Sequence, residues 1–209
     1  MDERKSLGTV IASLENLFQK FNEKFYAGKL QAPVITVSPD ITGGAYGWCT
    51  AWKAWKDSPE ATSDEGYYEI NLCAEHLTRP FEQICGTLLH EMVHLYNLYE
   101  GVQDTSRGGT YHNKRFKEAA EQRGLHIEKS EKYGWTITTL NEEGKAFVES
   151  LNHEGFDFFR TPIPPAMKRS GGGSSSRKYV CPCCGCIIRA TKEVRVICAD
   201  CDVEFELEE

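Results

Sequence analysis

Between Arg79-Pro80 and Glu100-Gly101 the chain reads as one helix that is apolar around most of its circumference, and a helix of that kind has to be buried. Phe81, Ile84, Cys85, Leu88, Leu89, Met92, Val93, Leu95, Tyr96 and Tyr99 supply the apolar surface. Thr78 is the expected N-cap and Gly101 the expected stop. Through this surface runs one polar seam of Gln83, Thr87, His90, His94 and Asn97, at alternating steps of four and three. Buried imidazoles need partners, so the fold must bring something to the seam. The fragment His90-Glu91-Met92-Val93-His94 says what. Histidines at i and i+4 project from one helix face, where both can bind a single zinc ion and leave coordination positions open. Glu91 lies beside the first of them, off the metal but close enough to take a proton from a water that then attacks a carbonyl. The plainer reading, two core histidines bonded to carbonyls, gives the glutamate between them no purpose.

The chain has 209 residues, enough for one core of about 150 residues and a small appendage. No run of eighteen apolar residues exists, so no membrane span is expected. The start, Met-Asp-Glu-Arg-Lys, is charged and runs into an amphipathic helix rather than a signal-peptide segment, which points to a cytoplasmic protein. Six of the nine cysteines fall between 181 and 201, and clustered CxxC pairs in a cytosolic chain read as metal ligands. Cys49, Cys73 and Cys85 are scattered in apolar surroundings and read as inert core thiols. Residues 1–160 hold 17 basic and 24 acidic side chains, which accounts for the net charge of −7, and residues 161–209 hold 7 of each. An acidic body is not a general nucleic-acid binder, so any such role would rest on a local patch.

A stripe from Leu7 to Phe25 forms a packing helix that ends at Gly28. Strands are expected at 33–38, from Tyr46 to Trp55, and at 67–72. The seam helix follows, then a Gly-rich loop over 101–110 and a short helix from His112 to Arg123 stopped by Gly124. Residues 125–160 are less legible; Trp135–Thr139 suggests a strand, and Asn141–Asn152 a helix interrupted by Gly144. These elements make a domain over 1–160. Residues 161–177, with Gly171-Gly-Gly-Ser-Ser-Ser176 and the basic Lys168, Arg169 and Arg177, read as a flexible basic linker, and 178–209 as a second domain.

A catalytic zinc takes three protein ligands and keeps an open position. A metzincin would need a histidine where Glu100 stands and a glycine where Asn97 stands. We read His112 as the third ligand, since it opens the next helix and Phe116 one turn later anchors that helix; Glu118 and Glu121 are the alternatives, as in a gluzincin. His76, His126 and His153 have no partner at metal spacing and read as surface or capping residues.

Cys181-Pro-Cys-Cys184-Gly185, thirteen residues, then Cys198-Ala-Asp-Cys201 has the spacing of a zinc ribbon. Four thiolates from Cys181, Cys184, Cys198 and Cys201 close a structural site, without which about thirty residues could not hold a fold. Ile187–Ala190 and Val194–Ile197 are the expected hairpin strands. Cys183 and Cys186 share the CxxC spacing and are the alternative first pair.

With the Phe21 to Tyr26 step, Gly47-Trp48, Ile70-Asn71, the HExxH helix, the His112 to Phe116 step and the CPxCG ribbon in this order, the chain resembles the SprT-like zinc metalloproteases. The resemblance covers residues 7–125 and 179–201. It implies an α+β zincin-like metalloprotease domain with a C-terminal zinc ribbon, two zinc ions (one catalytic, one structural), His90, His94 and His112 as ligands, and Glu91 as the catalytic base. It also implies a protein substrate and, at one remove, substrates bound or crosslinked to DNA. The expected DNA contact is the basic charge of the linker and ribbon, from Lys168, Arg169, Arg177, Lys178, Arg189, Lys192 and Arg195. The substrate peptide is expected along the edge of strand 67–72. Tyr111, Tyr133 and His126 are the candidate oxyanion stabilisers. The competing reading is a zinc-dependent nucleic-acid or protein adaptor with a silent HExxH site.

Overall fold

The computed structural model describes residues 5–40, 44–151, 156, 158–162 and 176–208. His153 and residues 163–175 of the expected linker lie outside them. The chain divides into two compact units, Met1–Thr161 and Pro162–Glu209.

In the first unit, helix α1 (Leu7–Tyr26) starts where the Ser6 side chain accepts from the Thr9 amide, and it buries Val10, Leu14, Leu17, Phe18 and Phe21. Asn22 pins the chain reversal after it, donating to the Leu30 carbonyl and accepting from the Leu30 amide. Strands β1 (Val34–Ser38), β2 (Gly47–Cys49) and β3 (Glu69–Cys73) form a sheet in the order β1-β3-β2, with β1 parallel and β2 antiparallel to β3. Two expectations fail here. The strand expected from Tyr46 to Trp55 shrinks to β2, because no core lies over the following residues: Trp52 is exposed, and Trp55 keeps only an isolated bridge to Tyr67. Strand 67–72 was expected to offer a free edge, but β3 is the central strand, hydrogen-bonded on both sides and buried from Ile70 to Cys73. The sheet's edges are β1 and β2, and β2 is the one that lines the cleft.

After a 3-10 turn (Ala74–His76), helix α2 (Phe81–Tyr99) runs through the centre and buries Ile84, Cys85, Leu88, Leu89, Met92, Val93 and Leu95. Its N-cap is Pro80, not Thr78: the Pro80 carbonyl accepts from Gln83 and Ile84, and exposed Thr78 lies two residues too early. Short strands β4 (Thr105–Ser106) and β5 (Tyr111–His112) precede α3 (Lys114–Glu121). The helix expected to open at His112 therefore starts two residues later, where Asn113 caps it by accepting from Arg115 and Phe116. Strands β6 (Leu125–Ser130) and β7 (Gly134–Leu140) complete a second sheet in the order β4-β5-β7-β6, and α4 (Glu142–Glu149) follows. Gly144 does not interrupt α4; it lies against the Gly124 carbonyl, where a side chain would not fit. Helix α2 packs against β2 and β3 of one sheet, against β6 and β7 of the other, and against the three remaining helices of this unit. No helix among the described residues is long and apolar enough to cross a membrane.

The second unit holds β8 (Arg177–Val180), β9 (Ile187–Ala190), β10 (Ile197–Cys198), β11 (Val203–Glu204) and β12 (Glu206–Glu208). The expected hairpin is replaced. Strand β9 pairs with β8 rather than with 194–197, and β10 pairs with β11, giving sheets β12-β8-β9 and β10-β11. Buried Tyr179, Cys181, Cys198 and Phe205 decide this, since the small apolar cluster needs the residues before the first cysteine and after the last.

Candidate metal and catalytic site

Every member of the α2 seam between Thr87 and Asn97 finds a partner. Thr87 is buried and its hydroxyl donates to the Gln83 carbonyl. The His90 Nδ1 lies 2.7 Å from the Thr138 hydroxyl on β7, and that hydroxyl donates in turn to the Thr136 carbonyl. The proton is therefore on His90 Nδ1, and its Nε2 lone pair is free. On His94, Nδ1 lies 2.7 Å from the Asp104 carboxylate, which also accepts from the Asn97 amide at 2.9 Å. A carboxylate there fixes the same tautomer and makes the ring a stronger ligand.

The freed nitrogens converge. His112 Nε2 lies 3.1 Å from His90 Nε2 and 3.0 Å from His94 Nε2. His112 reaches this point from β5, where its amide donates to the Tyr133 carbonyl. Gly134 permits the approach: its φ is +73°, and a Cβ would stand 2.2 Å from the His112 carbonyl oxygen. The ring of Phe116 packs against all three imidazoles. With the protons of His90 and His94 held on Nδ1, their Nε2 lone pairs both face His112 Nε2, and a cation shared by the three nitrogens would relieve the crowding. The donor set fits zinc. Burial, with the neighbouring imidazoles adding, keeps His90 neutral and holds His112 at about 4. Burial also disfavours charge on His94, but Asp104 and Glu91 outweigh it and raise that ring. Burial would raise Asp104 too; the bonds from His94 and Asn97 bring it below its ordinary value.

Glu91 is buried beside this cluster. Burial lifts its carboxyl to about 7, with His94 pulling it back and Asp104 adding to the rise. Its side chain packs against β2, since a Cβ on Gly47 would stand 3.4 Å from Glu91 Cγ and 2.6 Å from the Asn71 carbonyl. A cleft of about 730 Å³ opens in front of the cluster. Its walls are residues 44–49 on one side, the α2 seam at the back, and Thr136 to Leu140 of β7 on the other.

Of the alternatives for the third ligand, Glu118 is exposed and Glu121 is paired with Lys117, so neither joins the histidines. Tyr111, Tyr133 and His126 do not line the cleft; Arg107 covers the Tyr111 ring, Tyr133 is exposed, and His126 faces Glu128. His76 packs against Tyr46 and faces Asp40 at 3.9 Å. Cys73 and Cys85 are buried, while Cys49 is only part-buried; burial raises all three thiols. The reading from sequence missed Asp104 and Thr138. An acid in the Gly-rich loop was a weak signal for the first, and nothing near His90 pointed to the second.

In the second unit Cys181, Cys184, Cys198 and Cys201 bring one sulfur each to within 4.8 Å of one another, and Cys183 and Cys186 are not part of that set. The backbone amides of Cys184 and Cys183 point at the Cys181 sulfur and favour its thiolate. Gly185, at φ +71°, turns the first knuckle. Asp202 takes the corresponding place in the second, at φ +52°, with its amide donating to the Cys198 carbonyl. Four convergent thiols among the described residues, with no disulfide between them, fit a closed tetrahedral metal site.

A model of the SprT-like family matches residues 14–137, a span that holds the three histidines, Glu91 and Asp104 and ends before Thr138 and the cysteine cluster. No curated protein and no solved structure matches the chain.

Proposed function

The chain belongs to the SprT-like family, and from that premise we propose that it is a zinc-dependent endopeptidase. One observation carries the reading: three imidazole nitrogens, two of them on rings whose tautomer is fixed by Thr138 and Asp104, converge beside a buried glutamate at the back of an open cleft. His90, His94 and His112 hold the zinc. Bound zinc supplies a Lewis acid that polarises a carbonyl and makes water acidic. Glu91, kept off the metal by its place on α2, accepts the proton of the attacking water and returns it to the leaving amine. Thr138 and Asp104 hold two of the rings in place.

The substrate lies extended along the outer edge of β2. The ladder bonds at Tyr46–Cys73 and Thr50–Glu69 set the alternation, which turns the backbone groups of Gly47 and Cys49 toward the cleft. The cysteine cluster holds a second, structural zinc in a ribbon. We assign the protein to the cytoplasm, where thiols at metal-ligand spacing stay reduced. Its substrates are proteins bound or crosslinked to DNA, reached through Lys168, Arg169, Arg177, Lys178, Arg189, Lys192 and Arg195, the concentrated positive charge of an acidic chain.

The test is cleavage of a denatured protein such as casein by the wild type, by the wild type with chelator, and by Glu91→Gln. The amide cannot accept the proton, so activity should drop ~10²–10⁴-fold while zinc stays bound. Zinc-loaded wild type that cleaves nothing, with or without DNA, would leave the adaptor reading in place.

A further inference from the structure

Arg79 stands two residues before α2 and lines the same cleft as Glu91 and the three histidines. It is half-buried and held rigidly. Its Nε donates to the His76 carbonyl at 2.9 Å, one terminal nitrogen donates to the Thr87 hydroxyl at 2.9 Å, and the guanidinium carbon sits 4.1 Å from the centre of the Tyr46 ring. Tyr46 is itself braced from another side by His76. Among the described residues, the other guanidinium N–H groups have no acceptor and no carboxylate pairs with this cation. The nearby acids are turned elsewhere: Glu75 pairs with Arg160 at 3.0 Å, Asp40 faces His76, and exposed Glu82 lines the cleft without reaching Arg79. A half-buried, immobilised cation with unused donors is costly for the free protein and is suited to a planar carboxylate brought from outside.

Its position fixes where that carboxylate would come from. Thr87, which Arg79 bonds, is one helical turn before Glu91, and Tyr46, which it covers, is the residue before Gly47, where β2 meets Glu91. A peptide laid along β2 advances about 3.3 Å per residue. With the scissile bond at Glu91, a side chain within about two residues of that bond falls beside Arg79.

Building on the peptidase reading, we propose that Arg79 forms a subsite for a substrate carboxylate next to the scissile bond. The carboxylate is an Asp or Glu side chain within the substrate or the α-carboxylate of its C-terminus.

Two measurements test this. In the first, zinc-loaded wild type is given peptides in which each of three positions on either side of the cleavable bond carries Asp, Asn or Lys, with free or amidated C-termini. An internal subsite shows as a preference for Asp over Asn at one position, about 10- to 100-fold in kcat/KM, whatever the C-terminus. A terminal subsite shows as loss on amidation. Arg79→Gln should bring the Asp/Asn ratio toward one, and Arg79→Glu should turn the preference to Lys at the same position, a reversal that a merely structural arginine would not give. In the second, the same peptides are titrated by fluorescence anisotropy into zinc-loaded Glu91→Gln, with and without Arg79→Gln, and zinc content and thermal unfolding are checked. Carboxylate-dependent binding lost with Arg79 supports the subsite even if no peptide is cleaved, an outcome that would count against the peptidase reading alone. Equal cleavage and equal binding of Asp, Asn and Lys peptides by wild type would overturn the inference.

Discussion

Asp104 holds the His94 ring, and the effect of removing its charge can be sized. The carboxylate accepts from His94 Nδ1 at 2.7 Å and from Asn97 at 2.9 Å, so it both orients the ring and raises its basicity. Asp104→Asn keeps the shape and loses the charge. Zinc affinity at the histidine site should fall about 10- to 100-fold, read by competition with a chromogenic chelator. Thermal stability of the zinc-free protein should change little. An unchanged affinity would mean that His94 is held by packing against Phe116 alone. His112 differs from His90 and His94, since its Nδ1 is buried without a partner among the described residues. Its orientation rests on the backbone of β5 and on the ring of Phe116.

Strands β5 and β7 pair at His112 and Gly134, in parallel register, and Gly134 has a left-handed φ of +73°. An alanine there meets the His112 carbonyl at 2.2 Å and the Tyr111 ring at 2.8 Å, so β5 has to move. Gly134→Ala should destabilise the fold by roughly 1–3 kcal/mol and loosen zinc together with it. Thermal unfolding with and without zinc separates the two losses. A variant that melts lower but binds zinc as tightly as wild type would show that β5 does not set the position of His112. Strand β2 has the same dependence on closeness, since its Gly47 lies against both Asn71 and Glu91.

Across the whole molecule, the histidine cluster and the cysteine cluster lie in different compact units, each with its own buried apolar cluster. The intact chain should bind two zinc ions. A chain ending near residue 160 should bind one, still cleave a denatured protein, and lose salt-sensitive DNA binding along with the basic residues beyond that point. Metal analysis and DNA titration at low and moderate salt are the readouts. DNA affinity retained by the shortened chain would place the nucleic-acid contact on the acidic unit and remove the role assigned to the ribbon.

Short-range regularities in the chain already determined much of this. The 3.6-residue periodicity of α1 and α2, the i and i+4 histidines with Glu91, and the CxxC pairs each depend on residues a few positions apart, whose geometry follows once a helix or a knuckle forms. His112 was legible too, although on a strand rather than a helix. The partners that make the site chemical were not. Thr138 is 48 positions from His90 and Asp104 is 10 from His94, across loops that no local pattern describes. The same holds for the sheet: β-propensity marked residues 67–72 as a strand, but only the pairing of β1 and β2 on either side made that strand central and gave the cleft edge to β2. Arg79 looked like an ordinary helix-flanking residue until the turn before α2 folded it onto Tyr46 and Thr87. Pairing order and the burial of a charge depend on which distant surfaces meet, and only tertiary packing decides that.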